Sequence, residues 1–225
     1  YDRAVTWFKR ALTDRPDYTK AQYNLGLAYL RSKDDTRAEE AFGKLVLQVP
    51  TYFYAWFNLG IARAHQKNYS EAATAMLKAF ELKPGDEKAG IYAARYLKSS
   101  GKPEAALPVY VTAAKAGVVD VELFREMGKL YAKAGNDSEA IDAYRRANRI
   151  DPKPKTYFNL GLALKRSGRL DESGEAYARA LELDPNYAKA WLNLGYIHFH
   201  QSNYAEAERL FRKALDLNPE YENAL

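Results

Sequence analysis

Residues 188–221 read AKAWLNLGYIHFHQSNYAEAERLFRKALDLNPEY. Ala190, Trp191, Leu194, Gly195 and Ile197 recur with a helical period, and the pattern stops near Gln201-Ser202-Asn203. It restarts from Ala205 to Leu217, with Ala207, Leu210, Phe211, Ala214 and Leu215 on one face. Pro219 then prevents simple continuation. So short a break forces the two predicted helices antiparallel. Gly195 lets the backbone of the second helix approach closely, and the small Ala207 does the same from the other side. Two helices of this length cannot bury their apolar faces alone, so neighbours must stack on them.

The same stretch recurs along the chain. Asn-Leu-Gly occurs at Asn24-Leu25-Gly26, Asn58-Leu59-Gly60, Asn159-Leu160-Gly161 and Asn193-Leu194-Gly195. The first two copies lie 34 residues apart, as do the last two, and the middle gap of 101 is one short of three periods. Pro50, Pro84, Pro185 and Pro219 follow these glycines by 24 residues, and Pro16 and Pro152 keep the same phase. Ala38, Ala72, Ala140 and Ala207 mark a further slot, which Ser173 fills once. The phase predicts one domain over 1–225 with full repeats at 19–52, 53–86, 87–120, 121–153, 154–187 and 188–221. Residues 1–18 are then the second half of an earlier repeat, and 222–225 start a further helix.

Trp191…Leu194-Gly195…Ala207…Phe211…Ala214…Pro219 resembles the tetratricopeptide repeat, and Trp56…Leu59-Gly60…Ala72…Ala79…Pro84 repeats it with Met76 in the aromatic slot. The resemblance implies an all-α fold, a right-handed α-solenoid of helix-turn-helix repeats whose concave face is lined mainly by first helices. It also implies a non-catalytic scaffold for protein–protein interaction that binds a partner polypeptide in that groove.

Two repeats depart from the pattern. In 87–120, Ala93-Ala94 replace Leu-Gly and Val118 stands where Pro is expected. Pro103 is harmless in a first turn, whereas Pro108 inside a helix would cost ~3 kcal/mol, so a late start or a kink is expected there. An irregular but tolerated repeat is favoured over a hinge. Repeat 121–153 is one residue short after Asp151-Pro152. The ends are apolar without a polar cap, with Leu210, Leu215 and Leu217 at one of them. Solenoids ordinarily need caps, so the chain is expected to be a segment of a longer protein or to associate end to end as a homo-oligomer.

Composition excludes several classes. There is no Cys, which removes disulfides and thiolate chemistry, and no apolar run of the ~18 residues a membrane span needs. His198 and His200 are two apart on a helix and face different ways, and His65 is isolated, so no metal site is expected. No phosphate loop or paired carboxylates stand out, so neither a catalytic residue nor a cofactor is implied. A net charge of +5 with 29 interspersed acids is modest, which disfavours nucleic acid as the partner. The three tryptophans, Trp7, Trp56 and Trp191, are explained by packing.

By the resemblance, the second, fifth, sixth, ninth, twelfth and thirteenth positions of each repeat face the groove. These supply Tyr23, Asn24 and Leu27, then Phe57, Asn58 and Ile61, then Arg95. Further on they supply Arg125 and Lys129, then Phe158, Asn159, Leu162 and Lys165, and finally Asn193 and Tyr196. The groove is thus aromatic and aliphatic toward both ends and basic in the middle. A partner with acidic and apolar residues fits it: Tyr23, Phe57, Phe158, Leu162 and Tyr196 would take apolar side chains, and Arg95, Arg125, Lys129 and Lys165 would pair with acids. The recurring Asn resembles the asparagine ladder of the O-linked N-acetylglucosamine transferase repeats, interrupted here at Tyr92 and Glu126. An amide both donates and accepts, so a row of them suits a peptide backbone. The carboxylate clamp of heat-shock cochaperones is incomplete, because Tyr23, Leu27 and Tyr92 occupy positions it needs to be polar or basic. An interaction segment of a larger enzyme, such as a glycosyltransferase, is the remaining reading.

Overall fold

The computed structural model describes residues 1–224. Among them are thirteen α-helices and no strand. The helices fall into two compact units, Tyr1–Val119 and Asp120–Leu225. The first holds α1 (Asp2–Asp14), α2 (Thr19–Arg31), α3 (Asp35–Gln48), α4 (Phe53–His65), α5 (Tyr69–Leu82), α6 (Glu87–Ser99) and α7 (Ala106–Lys115). The second holds α8 (Val121–Lys133), α9 (Asp137–Ile150), α10 (Pro154–Arg166), α11 (Leu170–Leu183), α12 (Ala188–His200) and α13 (Tyr204–Leu217). Within each unit every helix packs on the next one in sequence, and the first helices of successive hairpins also touch, α2 on α4 and α8 on α10. Stacked helical hairpins are therefore what each unit consists of.

Proline sets where second helices end. The residue before it is pushed out of the helical region by the pyrrolidine ring. Val49, Lys83, Asp151, Asp184 and Asn218 all lie outside the helical region, with φ between −133° and −149°. The turn inside each hairpin has a different device. One residue there adopts a left-handed backbone: Lys33, Lys67, Gly101, Gly135, Gly168 and Ser202, with φ between 60° and 80°.

The recurring first-helix glycine has a sharper reason than backbone approach. A Cβ at Gly26 would lie 2.6 Å from the Phe42 ring, and at Gly128, Gly161 and Gly195 it would lie 2.5 Å from Tyr144, Tyr177 and Phe211. The second helix thus lays an aromatic ring over the missing side chain. At Gly60 a Cβ would meet no aromatic ring but the Met76 side chain at 3.1 Å and the Ala72 carbonyl at 3.2 Å. Ser173, in the Ala slot, is fully buried and donates its hydroxyl to the Gly161 carbonyl at 2.8 Å. A polar atom is tolerated there because it is satisfied.

The irregular hairpin behaves as its prolines require. Pro103–Ala105 forms a single 3-10 turn, and α7 starts late at Ala106 with only ten residues. Pro108 is its third residue, inside the first turn, where no intrahelical N–H is lost. At the start of the chain α1 packs on α2 without a fully buried residue, and Trp7 is 66% exposed. The further helix expected at 222–225 is replaced by a 3-10 segment, Pro219–Ala224, and residue 225 lies outside the described residues.

Candidate peptide-binding faces

In the first unit the faces of α2, α4 and α6 carry a connected series of aromatic rings. Tyr23 lies 5.4 Å from Tyr52 and 6.5 Å from Tyr54, centroid to centroid. Tyr54 meets Phe53 at 5.1 Å, and Phe53 meets Phe57 at 5.8 Å. Phe57 meets Tyr92 at 5.9 Å, Tyr92 meets Tyr96 at 6.1 Å, and Tyr96 stacks on Tyr69 at 6.4 Å. Tyr54 is exposed and the others are half-buried, so the rings pack on one another yet stay open to solvent. Two cations lie over it, Lys83 above Phe53 at 5.4 Å and Arg95 above Tyr92 at 5.5 Å. Burial, reinforced by Tyr52, raises the Tyr23 hydroxyl against the hydrogen bond from Asn58, and burial raises Tyr96 to about 12. Both phenols stay protonated donors at neutral pH.

Sequence reasoning placed Tyr23, Phe57 and Arg95 here and missed Tyr52, Phe53, Tyr69 and Tyr96. The run Tyr52-Phe53-Tyr54, at a turn where the repeat needs only one aromatic, was the available signal. Leu27 and Ile61 are half-buried, Leu27 against the core formed by Phe42, Leu45 and Leu59.

The four asparagines are not equivalent. Asn58 donates to the Tyr23 hydroxyl at 3.3 Å and to the Tyr54 carbonyl at 2.8 Å. Asn193 donates to the Lys189 carbonyl at 2.9 Å and accepts from Lys165 at 3.0 Å. Asn24 and Asn159 have no hydrogen-bond partner among the described residues. Asn24 faces a separate cleft of about 340 Å³ beside Trp7, Phe8 and Tyr18. A uniform ladder is therefore absent among the described residues, because two of its rungs are already bonded within the chain.

The second unit departs further from expectation. Phe158 is only 8% exposed, wedged between Tyr177 at 5.6 Å and Tyr187 at 5.0 Å, so it is core and cannot receive a partner's side chain. Leu162 is half-buried against the same cluster. Arg125 is spent inside the chain: it donates to the Asp151 carboxylate at 2.9 Å, the Asp151 carbonyl at 2.8 Å and Thr156 Oγ1 at 3.2 Å. That bond holds the Asp151 carboxyl below its usual range. Lys129 pairs with the buried Glu126, and Lys165, besides bonding Asn193, lies 5.9 Å from the centre of the Tyr196 ring. Tyr196 in turn packs edge-on to Phe211 at 5.2 Å. Asp151 sits at the joint of the one-residue-short repeat, on the extended residue before Pro152.

Ends of first helices clasp the preceding hairpin. His65, isolated in sequence, meets Asp35 at 2.8 Å, and Arg166 binds Asp137 through both Nε and Nη2. The tryptophans have a polar role beyond packing. The indole N–H of Trp56 donates to the Pro50 carbonyl and that of Trp191 to the Pro185 carbonyl, each at 2.8 Å.

Tetratricopeptide repeat models match residues 158–222, 53–86 and 20–52, and a TPR repeat model matches 1–33 and 128–168. The chain belongs to the tetratricopeptide repeat family. It is similar to the Protein O-mannosyl-transferase TMTC1 of Homo sapiens, 28% identical over 83% of this chain and 22% of that protein. It is also similar to the peroxisomal targeting signal receptor of Saccharomyces cerevisiae, 24% identical over 85% of this chain and 33% of that protein. The chain thus spans a fifth to a third of these curated relatives. Among solved structures, "YrrB: a TPR protein with an unusual peptide-binding site" superimposes with a TM-score of 0.69 at 24% identity, covering 82% of this chain and 96% of that one. That likeness shows the fold. The repeat fold and its relatives support a protein-interaction scaffold in general terms. No described helix is long and apolar enough to cross a membrane.

Proposed function

We propose that the chain is a non-catalytic scaffold whose first-helix faces bind a partner polypeptide, with the aromatic series of the first unit as the anchoring surface. The observation that carries this reading is the continuity of that series from Tyr23 to Tyr96 on α2, α4 and α6, with rings held by one another and edges left open. Core packing needs the rings turned inward, whereas these stay half-buried. Aromatics of this kind supply large contact area at small entropy cost and dominate interface energetics. Arg95 and Lys83 at its margin favour a partner with acidic residues beside apolar ones. The groups with shifted pKa values are phenols shifted by burial and members of ion pairs, which packing explains without catalysis.

The test is selection of peptides from a random library on the intact chain, followed by titration of selected sequences into variants. Phe57→Ala and Tyr92→Ala should each weaken binding by roughly tenfold or more, the ~1.4–2 kcal/mol of an interface anchor. Leu47→Ala, which removes a side chain 83% exposed on α3, should leave it unchanged. Unaltered affinity in both aromatic variants would refute the assignment. A second reading draws on the similarity to the O-mannosyl-transferase: the chain serves as the interaction segment of a larger glycosyltransferase.

A further inference from the structure

The second unit holds a cationic cavity of about 170 Å³ where the first turn of α10 meets α8 and α9. Arg125 and Lys129 reach it from α8, and Lys153 and Lys155 from the start of α10. Two carboxylates oppose these four cations. Asp151 holds Arg125 at 2.9 Å and Lys153 at 3.3 Å, and the buried Glu126 holds Lys129. Lys155 has no ion-pair partner among the described residues. The site therefore keeps a surplus of two positive charges.

Neutral donors converge on the same space. The Asn159 amide lines it without a partner among the described residues. Thr156, 5% exposed, accepts from Arg125 at 3.2 Å, which leaves its hydroxyl proton free to donate. Pro154, the first residue of α10, has no N–H, and the Thr156 N–H donates to the Lys153 carbonyl at 3.0 Å, so the first turn adds the Lys155 N–H and the positive dipole end to the field. Burial raises the Tyr144 phenol, also in the wall, to about 12 and keeps it a donor.

We infer that this cavity binds a phosphate monoester, presented as phosphoserine or phosphothreonine on the partner polypeptide. The inference rests on the reading that first-helix faces receive a polypeptide. Charge selects the ligand. A phosphate monoester carries about −1.5 to −2 at neutral pH and matches the surplus, whereas a single carboxylate leaves half of it uncompensated. Size agrees: a cavity of about 170 Å³ admits a phosphoryl group and its ester oxygen. Lys129 and Asn159 occupy first-helix positions predicted to face a bound chain, so a modified side chain can enter from that face.

The test uses the intact chain and three degenerate peptide pools that differ only in a central phosphoserine, serine or glutamate, with inorganic phosphate as a fourth probe. Backbone amide shifts and calorimetry are read together. Inorganic phosphate should move the amides of Lys155, Thr156 and Asn159, and the phosphoserine pool should bind about tenfold tighter than the serine and glutamate pools. Lys155→Gln, at an exposed site, should melt like the parent and lose most of that preference. Equal binding of the phosphoserine and serine pools would overturn the inference while leaving the peptide reading intact. Phosphate shifts at α10 with no gain for the phosphopeptide would assign the site to a free anion and also overturn it. Failure of every peptide pool would instead remove the reading on which it rests.

Discussion

At the scale of single residues, contacts rather than residue types decide what each position does. Gly161 and Ser173 show this most directly. The glycine is required because Tyr177, fully buried, lies where its Cβ would be, at 2.5 Å. Gly161→Ala should therefore destabilise the second unit by about 1–3 kcal/mol, the usual cost of overpacking, measured by denaturant unfolding. The gain in helix propensity, up to ~1 kcal/mol, offsets the larger overpacking costs only in part. Asn148 is the opposite case. It is 8% exposed, its amide nitrogen and oxygen lack partners, and the same repeat position holds Val46, Phe80 and Leu181 elsewhere. Asn148→Leu should stabilise by about 1–3 kcal/mol, because an unpaired buried amide is replaced by apolar surface. A lower melting temperature in that variant would mean that the amide is satisfied in solution.

At the scale of elements, the hairpin turn is the informative piece. Each full hairpin turns through one left-handed residue, and half of these positions are not glycine. Lys33, Lys67 and Ser202 adopt φ near 60° at a cost that glycine avoids. Lys67→Gly should raise stability by up to ~1 kcal/mol, and Gly168→Ala should lower it by about as much, both read as shifts of the unfolding midpoint. The helices themselves were legible: their period, the prolines that end them and the late start of α7 all follow from local sterics. The turn residue was not, since Lys, Gly and Ser share no side-chain chemistry. Their common feature is backbone conformation.

At the scale of the molecule, electrostatics divides unevenly. Asp151, Glu172 and Glu206, all in the second unit, have carboxyls held below their usual values, first of all by hydrogen bonds from Arg125, Arg169 and Arg209. A carboxylate whose folded pKa is depressed contributes stability above its unfolded pKa and loses it as pH falls through the folded one. Melting temperature should therefore be flat above about pH 5.5 and fall below it. Hydrogen exchange should show the second unit opening earlier in acid than the first, and Asp151→Asn should reduce the acid sensitivity. The Arg169–Glu172 and Arg209–Glu206 pairs are largely solvent-exposed, so added salt should also shrink their share of the effect.

The sequence by itself determined the repeat, its period, the helix ends and the family, because those depend on residue spacing and on backbone sterics that act within a few residues. It also identified Tyr23, Phe57 and Arg95 as surface aromatics and cations of one face. Only the tertiary structure decided which candidate residues remain available. Phe158 is buried by Tyr177 and Tyr187, and Arg125 is bound by Asp151, partners that lie 19, 29 and 26 residues away in the chain. The periodic pattern places a side chain on a helix face. What that face meets depends on rotamers and neighbours from other helices, and no repeat template encodes those.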